Sequence, residues 1–144
     1  SNQKMNNQEL ITAISEMNTV KMIHLLNESK HYPKSKKEVL IKDLTMIFDH
    51  LKIKDSLLEI IEGKCCATFD DCKNADKTGW LFLAKKSKKY FSLIFDYDSS
   101  ELKDIYICLY FGVQNLLIQT DIENNYELIY VTEGVLKTES YLWK

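Results

Sequence analysis

The chain contains no arginine: all 19 of its basic residues are lysines. Arginine supplies the planar fork that grips phosphates, carboxylates and guanine edges. Its absence counts against phosphate-reading chemistry, although lysine can still serve as a point charge. The wealth of Asn, Ile and Lys also points to a compositional bias. A basic excess is missing as well. Twenty-one acidic residues outweigh the lysines and leave a net charge of −2, which argues against a nucleic-acid partner. Proline occurs once, at Pro33, and glycine four times, so long disordered linkers are not expected. No run reaches the roughly 18 apolar residues of a membrane span, and the start lacks the apolar core of a signal peptide. No membrane partner is expected, and a cytoplasmic location follows as the default. Residue 1 is Ser; residues 1–5 are expected to be disordered or foreign to the native chain, with Met5 as a native start.

What is present fits one α+β domain over residues 1–144. A domain of this length buries roughly 70% of its unfolded surface and needs no disulfide or metal to hold a core. Over Gln8–Met17, Leu10, Ile11, Ile14 and Met17 form one helical stripe. Asn18-Thr19 offers a cap, and Val20–Leu26 reads as a second helix with Met22, Ile23 and Leu26 inward. His31-Tyr32-Pro33 ends it. Ser35-Lys36-Lys37-Glu38 has the form of a capping box and predicts a helix over 36–51, with Leu40, Leu44, Ile47, Phe48 and Leu51 buried.

The aromatic and β-branched runs Trp80–Ala84, Tyr90–Tyr97 and Asp104–Phe111 predict an antiparallel meander. Alternation places Ile105, Ile107, Leu109 and Phe111 on one face and Asp104, Tyr106, Cys108 and Tyr110 on the other. It likewise separates Phe91, Leu93 and Phe95 from Tyr90, Ser92, Ile94 and Asp96. An earlier strand is expected within 56–68. Tyr126–Val131 and Val135–Trp143 are expected to pair around Glu133-Gly134, and Asn115–Ile122 reads as strand or helix. Helices cover one sheet face. The other lines a pocket, meets a second subunit, or is covered by the C-terminal segment.

Gly63-Lys64-Cys65, Gly79-Trp80-Leu81-Phe82, the strand Tyr90–Phe95 and Asp104-Ile105-Tyr106-Ile107-Cys108 together resemble an uncharacterised family of small bacterial proteins. That resemblance covers about a third of the chain and implies no activity. Members carry more cysteines, closer together after the Gly-Lys-Cys turn, so Cys66 and Cys72 depart from the pattern. Helices followed by a curved meander also look like the cone-like fold of the nuclear transport factor 2-like and cystatin-like proteins. That likeness implies a curved sheet whose inner face forms a pocket.

Four thiols, Cys65, Cys66, Cys72 and Cys108, could complete a tetrahedral zinc site. No pair has the usual two-residue spacing, and the adjacent Cys65 and Cys66 point to opposite sides of an extended segment. Small buried hydrophobes and a loop thiol are the expected reading, with a disulfide or redox role as a further alternative, so no metal or cofactor is expected. Asp70, Asp71, Asn74 and Asp76 do not meet the frame of a calcium loop. His24, His31 and His50 form no ligand pair on a helix. The lysine runs 34–37 and 85–89 read as a solvated helix start and hairpin tip.

The expected ligand-binding set is Trp80, Asp96, Tyr106 and Tyr110 on the uncovered sheet face, with no catalytic residue assigned. The function expected is a non-enzymatic module binding a small apolar ligand or a protein partner, a homodimer through that face being one form of it. One alternative is a cone-fold isomerase or hydrolase with Asp96 or Asp104 as base and a tyrosine as donor. Another is a toxin-neutralising, immunity-type protein.

Overall fold

The computed structural model describes residues 3–63, 76–119 and 125–140. Three helices lead: α1 (Gln3–Ser15), α2 (Thr19–Asn27) and α3 (Lys34–Leu51). Strands β1 (Glu59–Gly63), β2 (Lys77–Ala84), β3 (Lys89–Asp98) and β4 (Glu101–Tyr106) follow. A fourth helix, α4 (Leu109–Gln119), precedes β5 (Glu127–Thr132) and β6 (Val135–Ser140). α1 begins at Gln3.

The expected stripe is buried in full: Leu10, Ile11 and Ile14 on α1, and Met17 in the turn after it, are 3% exposed or less. Asn18 caps α2 by accepting a hydrogen bond from the Lys21 amide at 3.1 Å. The inner face of α2 is Met22, Leu25 and Leu26, with Ile23 only half-buried. At its far end the Lys37 ammonium reaches back from α3 and donates to the carbonyls of Leu26 (3.1 Å) and Ser29 (2.9 Å). This explains a buried lysine on an otherwise apolar face: its ammonium finds acceptors in carbonyls at the end of α2, which also accept the Ser29 and Tyr32 amides.

The capping box expected at Ser35–Glu38 does not form. Pro33 holds the cap position with φ −59° and ψ 137°, and no side chain caps α3. Its carbonyl accepts the first helical bond, from the Lys37 amide at 3.0 Å. Ser35 therefore lies inside the first turn, and Glu38 faces Lys34 instead, at 3.9 Å.

The sheet is open, with order β1-β2-β3-β5-β6, and β4 also pairs with β3. The far edge of β3 is thus shared. β4 takes Ile94–Asp98 in antiparallel register, and β5 takes Lys89 and Tyr90 in parallel. The β3–β4 and β5–β6 connections are two-residue turns with positive φ throughout: Ser99 and Ser100 in one, Glu133 and Gly134 in the other. Such turns match the twist of paired strands.

The two sheet faces are both covered. Phe82, Phe91, Leu93 and Phe95 meet α1–α3 in the larger core, where Phe82 and Phe91 stack at 5.0 Å between ring centroids. On the opposite face, α4 packs Leu116 with Leu81, Leu83, Tyr90 and Leu128. The Phe111 ring rests on Gly63 and Gly79, which stand opposite each other in the β1–β2 register; a Cβ on either would lie within 2.6 Å of that ring. On that second face, α4 covers β1, β2 and β3. The meander accordingly stops at Tyr106. Residues 109–111 are helical, not strand, and the alternation expected to join Tyr106 with Tyr110 breaks there.

Candidate functional site

α3 and β4 meet along the outer edge of the sheet, where a groove of about 520 Å³ opens. From α3 it takes Lys36, Val39, Leu40 and Asp43, whose spacing puts them on one side of a helix. From β4 and just beyond it takes Asp104, Ile105, Tyr106 and Ile107. Val39 stands 60% exposed at the rim. Leu40 and Ile107 are half-buried and extend the main core up into the groove.

The polar groups are arranged around this apolar strip. The Lys36 ammonium approaches the Asp104 carboxylate at 3.6 Å. Tyr32 lies beneath, 1% exposed, and its hydroxyl donates to the Ile105 carbonyl at 3.3 Å. Burial, reinforced by the Asp104 carboxylate, pushes the Tyr32 phenol well above the ordinary tyrosine range, while the Ile105 contact opposes the shift. The group is a neutral donor, and it blunts the strand edge at that carbonyl. Burial also raises the Asp43 carboxyl above its usual value, against the pull of Lys42. Asp43 therefore holds its proton more readily than a free aspartate.

The four residues expected to bind together are dispersed. Trp80 packs against the α1–α3 core, its indole N–H donating to Thr78 at 3.2 Å. Asp96 shares the opposite face with Asp104, its register partner, and has Lys103 at 3.9 Å. Tyr106 borders the groove and carries the Lys77 ammonium 5.4 Å from its ring centre. Tyr110 stands on α4, 60% exposed. Of the set, only Tyr106 lines the groove, and Asp104 joins it there.

Sequence reasoning missed Tyr32, Lys36, Val39 and Asp43. A signal for Val39 was present: it widens the apolar stripe of α3 beyond what one core face needs. Cys65, Cys66, Cys72, Asp70, Asp71 and Asn74 lie outside the described residues, whereas Cys108 is a half-buried free thiol. Among the described residues no three His, Cys, Asp or Glu side chains could hold a metal together, and no helix is long and apolar enough to cross a membrane. No family model, curated protein or solved structure matches the chain.

Proposed function

We propose that the chain is a binding module whose site is the α3–β4 groove. Its occupant has an apolar body that covers Val39 and Leu40 and a basic group that meets Asp43. The observation that carries this reading is an apolar strip ending in two carboxylates, of which Lys36 engages only Asp104. A cationic group beside Asp43 offsets the burial that now disfavours its charge. An apolar cleft with a few placed polar groups is the usual form of a ligand site. Neutralising a toxin protein would be one use of the same surface.

The test is a backbone-amide NMR titration with small aliphatic and aromatic amines, run beside the matching alcohols and carboxylic acids. The amines should shift the amides of 36–43 and 104–107 more than the alcohols or acids do, and Asp43→Asn should remove that preference. Shifts confined to other surfaces, or a variant that keeps the amine preference, would refute the site.

A second reading is supported by the shared position of Asp104 and Tyr106 in the groove: a small isomerase or hydrolase with Asp104 as base. Its substrate would displace Lys36 from Asp104. Turnover of carbonyl or ester substrates that Asp104→Asn abolishes would support it; turnover untouched by that change would remove it.

A further inference from the structure

At the other end of α3 lies a surface that the groove does not involve. The helix runs into an exposed turn with Lys52, Ile53 and Lys54, and the chain passes Leu57 before entering β1. Ile53 is 77% exposed and Leu57 62%. The β2–β3 hairpin tip, Lys85–Lys88, sits directly against this turn. Asp55, only 5% exposed, accepts from the amides of Lys86 (2.9 Å) and Ser87 (3.0 Å), and from the Ser87 hydroxyl. The tip is thereby fixed in place between the two aliphatic residues. Ile53 borders a hollow with Ser87 and Lys89, and Leu57 borders another with Lys85 and Lys86.

The charges at this end do not balance. Of the carboxylates nearby, Asp55 is turned inward. Glu59 is neutralised by Lys85, and Glu127 by Lys89 at 2.8 Å. Lys52, Lys54, Lys86 and Lys88 enter no ion pair among the described residues; Lys88 only lies over the Tyr126 ring, 5.2 Å from its centre. Among the described residues, Asp49, one turn back on α3, is the remaining counter-charge. In a chain of net charge −2, the described residues of this end thus carry a local excess of lysine, which orients it toward an anionic surface.

We infer that this end docks on the surface of an anionic lipid bilayer, with Ile53 and Leu57 entering the headgroup region and the lysines flanking them. The two aliphatic side chains stand 77% and 62% exposed beside the hollows they border, free to enter an interface. Lysine stems lie along apolar material while their ammonium groups stay at the headgroups. Nucleic acid favours exposed stacking aromatics and arginine; the chain has no arginine, and among the described residues the aromatic ring placed at this end, Tyr126, is buried. The absence of a spanning helix bears on crossing a bilayer and not on resting against one. Neither the lack of a spanning run nor the lack of a signal-peptide core bears on such peripheral contact.

Co-sedimentation with vesicles of phosphatidylcholine, with and without about one-third phosphatidylglycerol, tests the inference. The protein should sediment with the anionic vesicles and not with the neutral ones, and raised salt should release it. Each lysine near an anionic surface is worth about fivefold in partitioning. The variant K52Q/K54Q/K86Q/K88Q should therefore bind at least tenfold more weakly. I53S/L57S should lose several-fold while keeping the lysines, and both variants should retain the wild-type circular dichroism. Equal sedimentation with both vesicles, none with either, or binding indifferent to the lysine changes would overturn the proposal. So would lysine-dependent binding to polyglutamate without binding to vesicles, which would mark the surface as a reader of acidic polypeptide.

Discussion

Replacing Gly79 with alanine tests how the second sheet face is closed. Glycine inside a strand is ordinarily a liability, and alanine there should stabilise by about 0.5–1 kcal/mol. The structure reverses that sign. A Cβ at Gly79 would lie 2.3 and 2.4 Å from two carbons of the Phe111 ring, which is itself 2% exposed. Carbon contacts settle near about 3.5–4.0 Å, so the ring has to withdraw by about 1 Å and take α4 with it. Overpacking of this kind costs about 1–3 kcal/mol, which exceeds the strand gain. Phe111→Ala alone should cost about 3–5 kcal/mol through the cavity it leaves. In the double variant the new methyl group enters space the ring has vacated. The combined cost should fall below the sum of the singles by at least about 1 kcal/mol, well outside the roughly 0.5 kcal/mol within which independent sites add. Urea unfolding followed by circular dichroism measures all three, with an unchanged slope as the sign of an unchanged unfolded state. A stabilising Gly79→Ala, or additivity in the double variant, would refute the socket.

Asp55→Ala leaves the Lys86 and Ser87 amides without their acceptor and should cost about 2–4 kcal/mol, with faster amide exchange at the hairpin tip as the local readout. Lys37→Met keeps the length of the side chain but abandons the Leu26 and Ser29 carbonyls; a loss of about 1–3 kcal/mol is expected in thermal melts. Asp43 binds its proton more tightly in the folded chain than in the unfolded one, so its contribution is fully present below the unfolded pKa and lost as pH rises through the folded value. Asp43→Asn should consequently be slightly stabilising at neutral pH, with the difference from wild type closing in acid; denaturation curves across that range that showed the opposite trend would contradict the assignment.

The helices were legible because their burial is periodic and local. Leu10, Ile11, Ile14, Leu44, Ile47, Phe48 and Leu51 are all buried as their spacing requires. The faces of β3 were legible from a period of two: Phe91, Leu93 and Phe95 enter one core and Tyr90 the other. The stretch from Cys108 to Phe111 misled because its composition favours strand while its contacts are helical. Phe111, Asn115 and Leu116 share a side of α4 only once Gly63 and Gly79 provide a bare patch for Phe111 to rest on. Strand preference is largely a statement about side-chain packing, and the packing that decided this case involves glycines far away in sequence. The capping box failed for a different reason: Ser35 and Glu38 have the right spacing, but Pro33 already occupies the entry to the helix with the conformation a cap needs.

The groove was less legible than the fold, and its composition shows why. Tyr32, Asp43 and Asp104 come from a helix connection, a helix flank and a strand, so no local period unites them. What unites them is the way β3 divides its far edge. β5 pairs with β3 only at Lys89 and Tyr90, while β4 takes the other end of the same edge. The outer side of β4 is consequently left facing α3 instead of another strand among the described residues. Tyr32 satisfies the Ile105 carbonyl there and Lys36 reaches Asp104, so the edge is protected by side chains rather than by a neighbouring ladder. Side chains protect an edge without filling the space beside it, and that space is the groove. A strand laid there would close the sheet and remove the site. The division of one strand edge between two partners is thus what leaves Val39, Asp43 and Tyr106 lining an open groove.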